Sequence, residues 1–258
     1  MTKSFLTMLS ALLLLLPGLN AQTKSPAICA HRGFWKCKDV PNEQNSIASL
    51  RMAQEYGFWG SEFDVHLTAD SVAVVHHDPS RGGLSLHKNT YDELSAKPLR
   101  NGEVLPTLEA YLDQGAKSSC MLVLELKPED NRQQADALID HCIQALKDRD
   151  LFDPSRVMFI SFDLEMCKRI ALIAPEFTNQ YLEGDVDPET LHAMGINGLD
   201  YHYSVFHKHP DWVQRAHDLG MSVNVWTVDN EIEMQYQIDL GVDCITTNEP
   251  LKLRELLQ

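Results

Sequence analysis

The sequence predicts an α/β protein, a (β/α)8 barrel in which a hairpin extends the second strand and a small insertion follows. Eight short apolar or β-branched runs recur along the chain, at Ala27–Ala30, 61–65, Met121–Leu126, 157–160, 178–182, 198–201, Ser222–Trp226 and 242–246. Amphipathic stretches such as 46–56, Arg132–Lys147, Leu164–Ile173, 210–219 and Glu231–Leu240 lie between them, which is the alternation of a parallel barrel wrapped in helices. The strand runs are short and buried-looking rather than strictly alternating, as strands covered on both faces must be. At 258 residues the chain suits one such barrel, usually roughly 250 residues long.

The first residues read as a targeting segment. Lys3 precedes the unbroken run Leu12 to Leu16, which breaks at Pro17-Gly18 before Leu19-Asn20-Ala21. This predicts a signal peptide over 1–21 and a mature barrel over 22–258, exported to a periplasm or the extracellular space. The apolar run is too short to span a bilayer as a helix and no second one follows, so no stable membrane anchor is expected.

Between Glu62 to Leu67 and Val72 to His76 stand only Thr68-Ala69-Asp70-Ser71, too few residues for a helical crossover. This spacing predicts an antiparallel hairpin. The long excursion that follows, with loop chemistry at Arg81-Gly82-Gly83 and Asn101-Gly102, predicts an insertion over about 79–118 above one end of the barrel.

The formal net charge is −15, and loss of the leader would remove only the cation Lys3. Such a chain is not expected to bind nucleic acid. An anionic substrate would also be repelled by the overall field, so a phosphate site here needs its own local cations or a metal. The six cysteines show no C-x-x-C spacing and are read as small buried hydrophobes rather than a disulfide framework.

Four clusters sit at strand ends or on the hairpin: His31-Arg32-Gly33, Glu62-x-Asp64, His76-His77-Asp78 and Glu125-x-Lys127. In a barrel such groups converge on one mouth. Residues two apart on a strand share a face, so Glu62 and Asp64 present two carboxylates together and Glu125 adds a third from the next barrel strand. An all-oxygen set of this kind suits one hard divalent cation, Ca2+ or Mg2+, whereas the absence of clustered His and Cys in the sequence argues against structural zinc. Folding the hairpin about Ala69-Asp70 brings His77 back near Glu62, to within about one residue of register. His31 reaches the same mouth beside Arg32, whose planar fork suits a pair of phosphate oxygens. Two imidazoles flanking a metal and an arginine suit phosphodiester cleavage, one as base and one as acid. His76 points to the opposite face from His77, His66 shares a face with Asp64 as a candidate site contact, and the remaining histidines are read as loop or surface residues.

The ordered set His31-Arg32-Gly33, Gln44-Asn45-Ser46, Glu62-Phe63-Asp64-Val65, Leu67-Thr68-Ala69-Asp70 and Val74-Val75-His76-His77-Asp78 resembles the glycerophosphodiester phosphodiesterase family. The resemblance continues through Leu105 to Glu109, Leu124-Glu125-Leu126-Lys127, Ser161-Phe162-Asp163, Trp226-Thr227-Val228 and Gly241-Val242-Asp243 to Thr247-Asn248-Glu249-Pro250. It implies a barrel that hydrolyses glycerophosphodiesters to glycerol 3-phosphate and an alcohol. His31 and His77 match the family's acid/base pair, and Glu62, Asp64 and Glu125 its metal ligands. Arg32 and Lys127 match its phosphate-side cations, and Trp226 lies in a matched substrate-side segment. Gln44 stands where the family usually carries Glu, and Asn248 where it usually carries Asp. The competing readings are a phospholipase-type enzyme on lipid or lysolipid, a catalytically silent phosphate-binding barrel, and a two-carboxylate sugar hydrolase. The last leaves His31, Arg32 and His77 without a role.

Overall fold

A computed structural model describes residues 25–40 and 42–258, and the signal peptide predicted over 1–21 lies outside these. In chain order, β1 (Ala27–Ala30) leads to α1 (Ile47–Glu55) and β2 (Gly60–Leu67), which turns back as β3 (Ala73–Val75). A small ribbon of β4 (Ser80–Arg81) and β5 (Leu84–Ser85) follows, then a 3-10 turn over Leu86–Lys88 and the helices α2 (Tyr91–Ser95) and α3 (Leu108–Gly115). The remaining units are β6 (Met121–Leu126) with α4 (Arg132–Lys147), β7 (Val157–Ser161) with α5 (Leu164–Ile173), and β8 (Asn179–Tyr181) with α6 (Pro188–Ala193). They continue through β9 (Gly198–His202) with α7 (Tyr203–Lys208) and α8 (Asp211–Asp218), β10 (Ser222–Trp226) with α9 (Glu231–Leu240), and β11 (Cys244–Thr247) with α10 (Pro250–Leu256). The parallel order β1-β11-β10-β9-β8-β7-β6-β2 closes because β1 also pairs with β2. This is a closed eight-stranded barrel, with β3 as an antiparallel flank.

Strand alternation divides the buried residues into two layers. Phe63, Val65 and Leu67 of β2 turn outward into a core shared with Leu50, Leu108, Tyr111 and Leu112 of the covering helices, and the Phe63 and Tyr111 ring centroids lie 4.6 Å apart. The inward layer holds Cys29, Val123, Met158, Ile160, Leu182 and Cys244, which fill the barrel interior. All six cysteines are buried and free. Helix starts follow from local chemistry: the side chains of Ser46, Thr107, Asn131, Asp163, Asp187 and Asn230 accept backbone N–H bonds at the first turns of α1, α3, α4, α5, α6 and α9.

The hairpin forms with Val65 opposite Val75 and Leu67 opposite Ala73, and the His76 N–H donates to the Asp64 carbonyl at 3.0 Å. This register returns His77 to within a residue of Glu62. The stretch 79–118 divides in two. Its first part, with the β4–β5 ribbon, the 3-10 turn and α2, buries Leu86 and Leu94 with Val74 and Leu105 as a small core of its own. The later helix α3 packs in the outer layer of the barrel and serves as the crossover between β2 and β6. Among the described residues no helix is long and apolar enough to cross a membrane.

The turn after β1 is the tightest feature of the frame. Arg32 and Gly33 both take left-handed backbone, at φ 57° and 80°, and a Cβ on Gly33 would lie 2.7 Å from the Ser49 carbonyl carbon of α1. Gly241, at φ 86°, has no neighbour within 4 Å of such a Cβ. Gly241→Ala should therefore cost only the conformational preference, about 1 kcal/mol. Gly33→Ala adds overpacking against backbone and should cost at least about 2 kcal/mol in urea unfolding. Equal losses at the two positions would show that the close approach of α1 to this turn carries no stability.

Candidate active site

The structure brings His31, Arg32, Glu62, Asp64, His77, Glu125 and Lys127 together at the mouth with Trp226 on the facing wall, whereas His66 meets the His77 carbonyl and Glu129 instead. Asp64 of β2 stands opposite Glu125 of β6 in the parallel ladder, and Glu62 lies two residues earlier on the same inward face. One oxygen from each of Glu62, Asp64 and Glu125 lies within 4.8 Å of the others, and all three residues are buried. Asp64 is the most heavily supported of them. Its carboxylate accepts from Asn45 Nδ2 at 2.7 Å and Lys127 Nζ at 3.2 Å, with Arg32 Nε 3.6 Å away. Burial alone would raise Asp64, but Lys127, His77, Arg32 and the Asn45 amide together hold it well below the usual carboxylate range. Glu125 and Glu62 go the other way. Burial, then repulsion from Asp64, pushes Glu125 up to about 8, and burial with Asp64 and Glu125 raises Glu62 well above its ordinary value. Lys127 bridges the set, 2.7 Å from Glu125 Oε1, and although burial works against its charge, Glu125 and Asp64 raise it.

The left-handed turn aims the first cluster. The Arg32 N–H donates to Glu62 Oε2 at 2.8 Å, while its side chain donates from Nη1 to Gln44 Oε1 at 2.7 Å. His31 Nε2 lies 3.9 Å from Glu62 Oε2, and its Nδ1 lies 2.9 Å from Asn248 Oδ1. The Asn248 amide has only one possible orientation, because its Nδ2 donates to Asp229 Oδ2 at 2.8 Å and its Oδ1 receives Trp35 Nε1 at 3.0 Å. His31 therefore carries its proton on Nδ1 and turns the Nε2 lone pair toward the carboxylates. Burial and the Arg32 charge lower His31 to about 4, so this imidazole is neutral near pH 7. His77 differs: Nδ1 donates to the exposed Asp78 carboxylate at 2.7 Å. Burial lowers it as well, against the opposing pull of Asp64.

His31, Arg32, Glu62, His77 and Glu125 line one cleft of about 420 Å3, whose other wall is Ile160, Phe162, Leu182 and Trp226. The Trp226 indole is fixed by donating Nε1–H to the Asp200 carbonyl at 2.8 Å and stands edge-on to Phe162. Arg32 and His77 also border a second, more polar opening of about 810 Å3 toward Gln44, His76 and Arg100. Residues 31–252 match the Glycerophosphoryl diester phosphodiesterase family. The chain belongs to that family. A glycerophosphodiester phosphodiesterase of Parabacteroides distasonis is 44% identical and superposes with a TM-score of 0.87, covering 90% of this chain and 97% of its own. The glycerophosphodiester phosphodiesterase of Caldanaerobacter subterraneus is 26% identical over 90% of this chain and 97% of its own. An Oleispira antarctica phosphodiesterase, 25% identical with a TM-score of 0.76 over 90% of this chain and 97% of its own, was solved in complex with the product sn-glycerol-3-phosphate.

Sequence reasoning missed several members of this family site. Asn45 was visible only as part of a motif, yet it holds Asp64 by both ends of its amide, donating from Nδ2 and accepting the Asp64 N–H at 3.2 Å. Asp229, which fixes Asn248, and Asp200, buried at the cleft floor and pushed up to about 8 by burial, gave no sequence signal. His87, read as a loop or surface residue, has a side chain only 9% exposed. It meets His66 and Glu129 in a second group of potential ligands, which corrects the expectation that no histidines cluster. They cluster in space from three separate elements, where linear spacing carries no trace.

The family is metal-dependent, and the buried donors fit a hard divalent cation. Glu62 Oε1 is buried without a hydrogen-bond donor, and Glu125 has only the Lys127 ammonium beside it. Three carboxylates face only the local charges of Lys127 and Arg32, so a proton must neutralise part of the set unless a cation does. Ion binding then expels protons from Glu125 and Glu62. Divalent affinity should rise from pH 6 to pH 8, by about tenfold per pH unit for each proton released. Calorimetry in buffers of different ionisation enthalpy measures that release, and a pH-independent affinity would rule out protonated carboxyls in the ion-free protein. Glu125→Gln should leave ion-free thermal stability near wild type at pH 7 and abolish the stabilisation that the ion confers.

Proposed function

We propose that this chain hydrolyses glycerophosphodiesters to glycerol 3-phosphate and an alcohol, with His31 as general base and His77 as general acid. The observation that carries this reading is the unlike environment of two imidazoles lining one cleft. His31 is backed by the neutral Asn248 amide and is held neutral, with Nε2 free to take a proton from the attacking oxygen. His77 is backed by the Asp78 carboxylate, which favours the imidazolium needed to protonate the departing alkoxide. Arg32 and Lys127 supply the local cations that an anionic substrate requires in so acidic a chain. Gln44 strengthens this, because an amide holds the Arg32 guanidinium without neutralising it. A divalent cation held by Glu62, Asp64 and Glu125 would polarise the phosphoryl oxygens and stabilise charge built up at phosphorus. The all-oxygen donor set favours Mg2+ or Ca2+. The apolar wall of Phe162, Leu182 and Trp226 excludes water from one side of the phosphodiester and gives the substrate's carbon skeleton a surface to pack on.

The assignment is tested with leaving groups. His77→Ala should lose at least roughly a hundredfold in rate on glycerophosphocholine. It should recover much of that on a p-nitrophenyl phosphodiester, whose leaving group needs no proton. His31→Ala should be equally impaired on both. Rescue of His31→Ala instead would exchange the roles, and rescue of neither would remove the acid/base division. His76→Ala, which lines only the outer openings, should stay near wild type.

The pH profile of kcat/KM should be bell-shaped, with the acidic limb set by protonation of His31. Asn248→Asp places a carboxylate on His31 Nδ1, which stabilises the imidazolium and raises its pKa. The acidic limb should move to higher pH, and an unmoved limb would mean that His31 does not act as the base. We also propose export with cleavage after Ala21, supported by Lys3 and the apolar run Leu12 to Leu16. N-terminal sequencing of the mature protein should begin at Gln22.

A further inference from the structure

We infer that His66, His87 and Glu129 form a second metal site, for Zn2+ or a divalent ion of similar preference, distinct from the carboxylate site at the barrel mouth. The three ligands come from β2, from the 3-10 turn of the insertion and from the loop between β6 and α4, and one donor atom from each lies within 4.8 Å of the others. Their side chains are 4%, 9% and 0% exposed.

The decisive feature is which atoms are satisfied. His66 Nε2 lies 3.3 Å from the His77 carbonyl oxygen, which can only accept, so Nε2 carries the proton and Nδ1 presents a lone pair. His87 Nδ1 lies 3.0 Å from the Asp130 carboxylate and so carries the proton there, leaving Nε2 as a lone pair. Glu129 Oε1 accepts the Leu67 N–H at 3.0 Å, which leaves Oε2. The three remaining atoms, His66 Nδ1, His87 Nε2 and Glu129 Oε2, are buried and have no hydrogen-bond partner outside the cluster. Each ligand is thus held from behind by a carbonyl, a carboxylate or a backbone N–H, the arrangement that fixes ring orientation around bound metals.

Distances agree. Two ligands at roughly 2.0–2.1 Å from a tetrahedral ion stand about 3.3 Å apart, and His87 Nε2 lies 3.1 Å from Glu129 Oε2. His66 Nδ1 is 3.9 Å from the nearer carboxylate oxygen, Oε1, and one donor from each of the three residues lies within 4.8 Å of the others, so the set closes on an ion by rotation of the His66 ring and the Glu129 carboxylate. Two imidazoles and one carboxylate suit zinc and leave a fourth position for water. A shared proton explains less. It would join His87 to Glu129 but leave the His66 lone pair buried and unpartnered, at a cost of about 1–3 kcal/mol.

The test uses full-length protein carrying Glu62→Gln and Glu125→Gln to disable the mouth, stripped with a chelator and titrated with Zn2+ by calorimetry. One equivalent should bind, and millimolar Mg2+ or Ca2+ should not displace it. Adding His87→Ala should weaken binding at least about a hundredfold, and Asp130→Asn, a change at an exposed carboxylate that leaves the fold intact, about 10- to 100-fold. In crystals grown with Zn2+, anomalous scattering at the zinc edge should place the ion among the three side chains. Absence of the equivalent, a peak elsewhere, or unchanged affinity in Asp130→Asn together with His87→Ala would overturn the site and leave a protonated His87–Glu129 pair.

Discussion

The structure is organised around the cost of holding three carboxylates together in a buried barrel mouth. An ionised carboxyl taken from water costs several kcal/mol unless it is paired or hydrogen-bonded, and here Glu62, Asp64 and Glu125 crowd one another. Asp64 is kept ionised by Lys127, Arg32 and Asn45, and its neighbours shift the other way. The strained turn at Arg32, itself a cost of order 1–3 kcal/mol, belongs to the same arrangement. Its backbone N–H reaches Glu62, and its carbonyl accepts from the Asn45 N–H and the Ser49 hydroxyl, which ties the first strand to α1. Removing the turn would leave both a carboxylate and a helix start without their partners.

This arrangement also resolves the conflict between an acidic chain and an anionic substrate. The global charge of −15 repels phosphodiesters at a distance, but salt screens that field beyond about 8–10 Å. At the mouth, Arg32 and Lys127, joined by the cation that Glu62, Asp64 and Glu125 would hold, dominate over a few ångströms of low dielectric. The two departures from the family pattern bear on opposite ends of this local field. Gln44 adds no second anion to the Asp64 carboxylate already beside Arg32, while Asn248 withholds from His31 the anion that would protonate it.

Much of this was legible from residue order because barrel geometry is regular. Period-two alternation put Glu62 with Asp64 and Glu125 with Lys127, and the four-residue turn placed His77 near Glu62. These are short-range inferences, and the fold preserves them. What stayed hidden depends on contacts between elements far apart in the chain: Asn248 on His31 across 217 positions, or His87 meeting Glu129 across two helices and a barrel strand. The long excursion was read as one insertion because its helix α3 has no preceding strand to announce it. In the structure that helix covers the barrel, and only the first part stands apart. Isolated histidines carry no periodicity, so a reading by spacing assigned His87 to the surface.

The hairpin has a consequence for how such an enzyme diversifies. His31 directly follows β1 of the closed ring and its N–H is still held by the Thr247 carbonyl of β11, but His77 follows β3, an outrigger strand whose far side is met, among the described residues, by a single bridge from Val74 to Thr107. The proposed proton donor therefore rides on a replaceable part. Residues beyond it can be lengthened, shortened or exchanged to admit bulkier alcohols without reopening the ring that carries His31 and the carboxylates. Descent with a fixed attacking side and a variable departing side is the pattern this asymmetry permits.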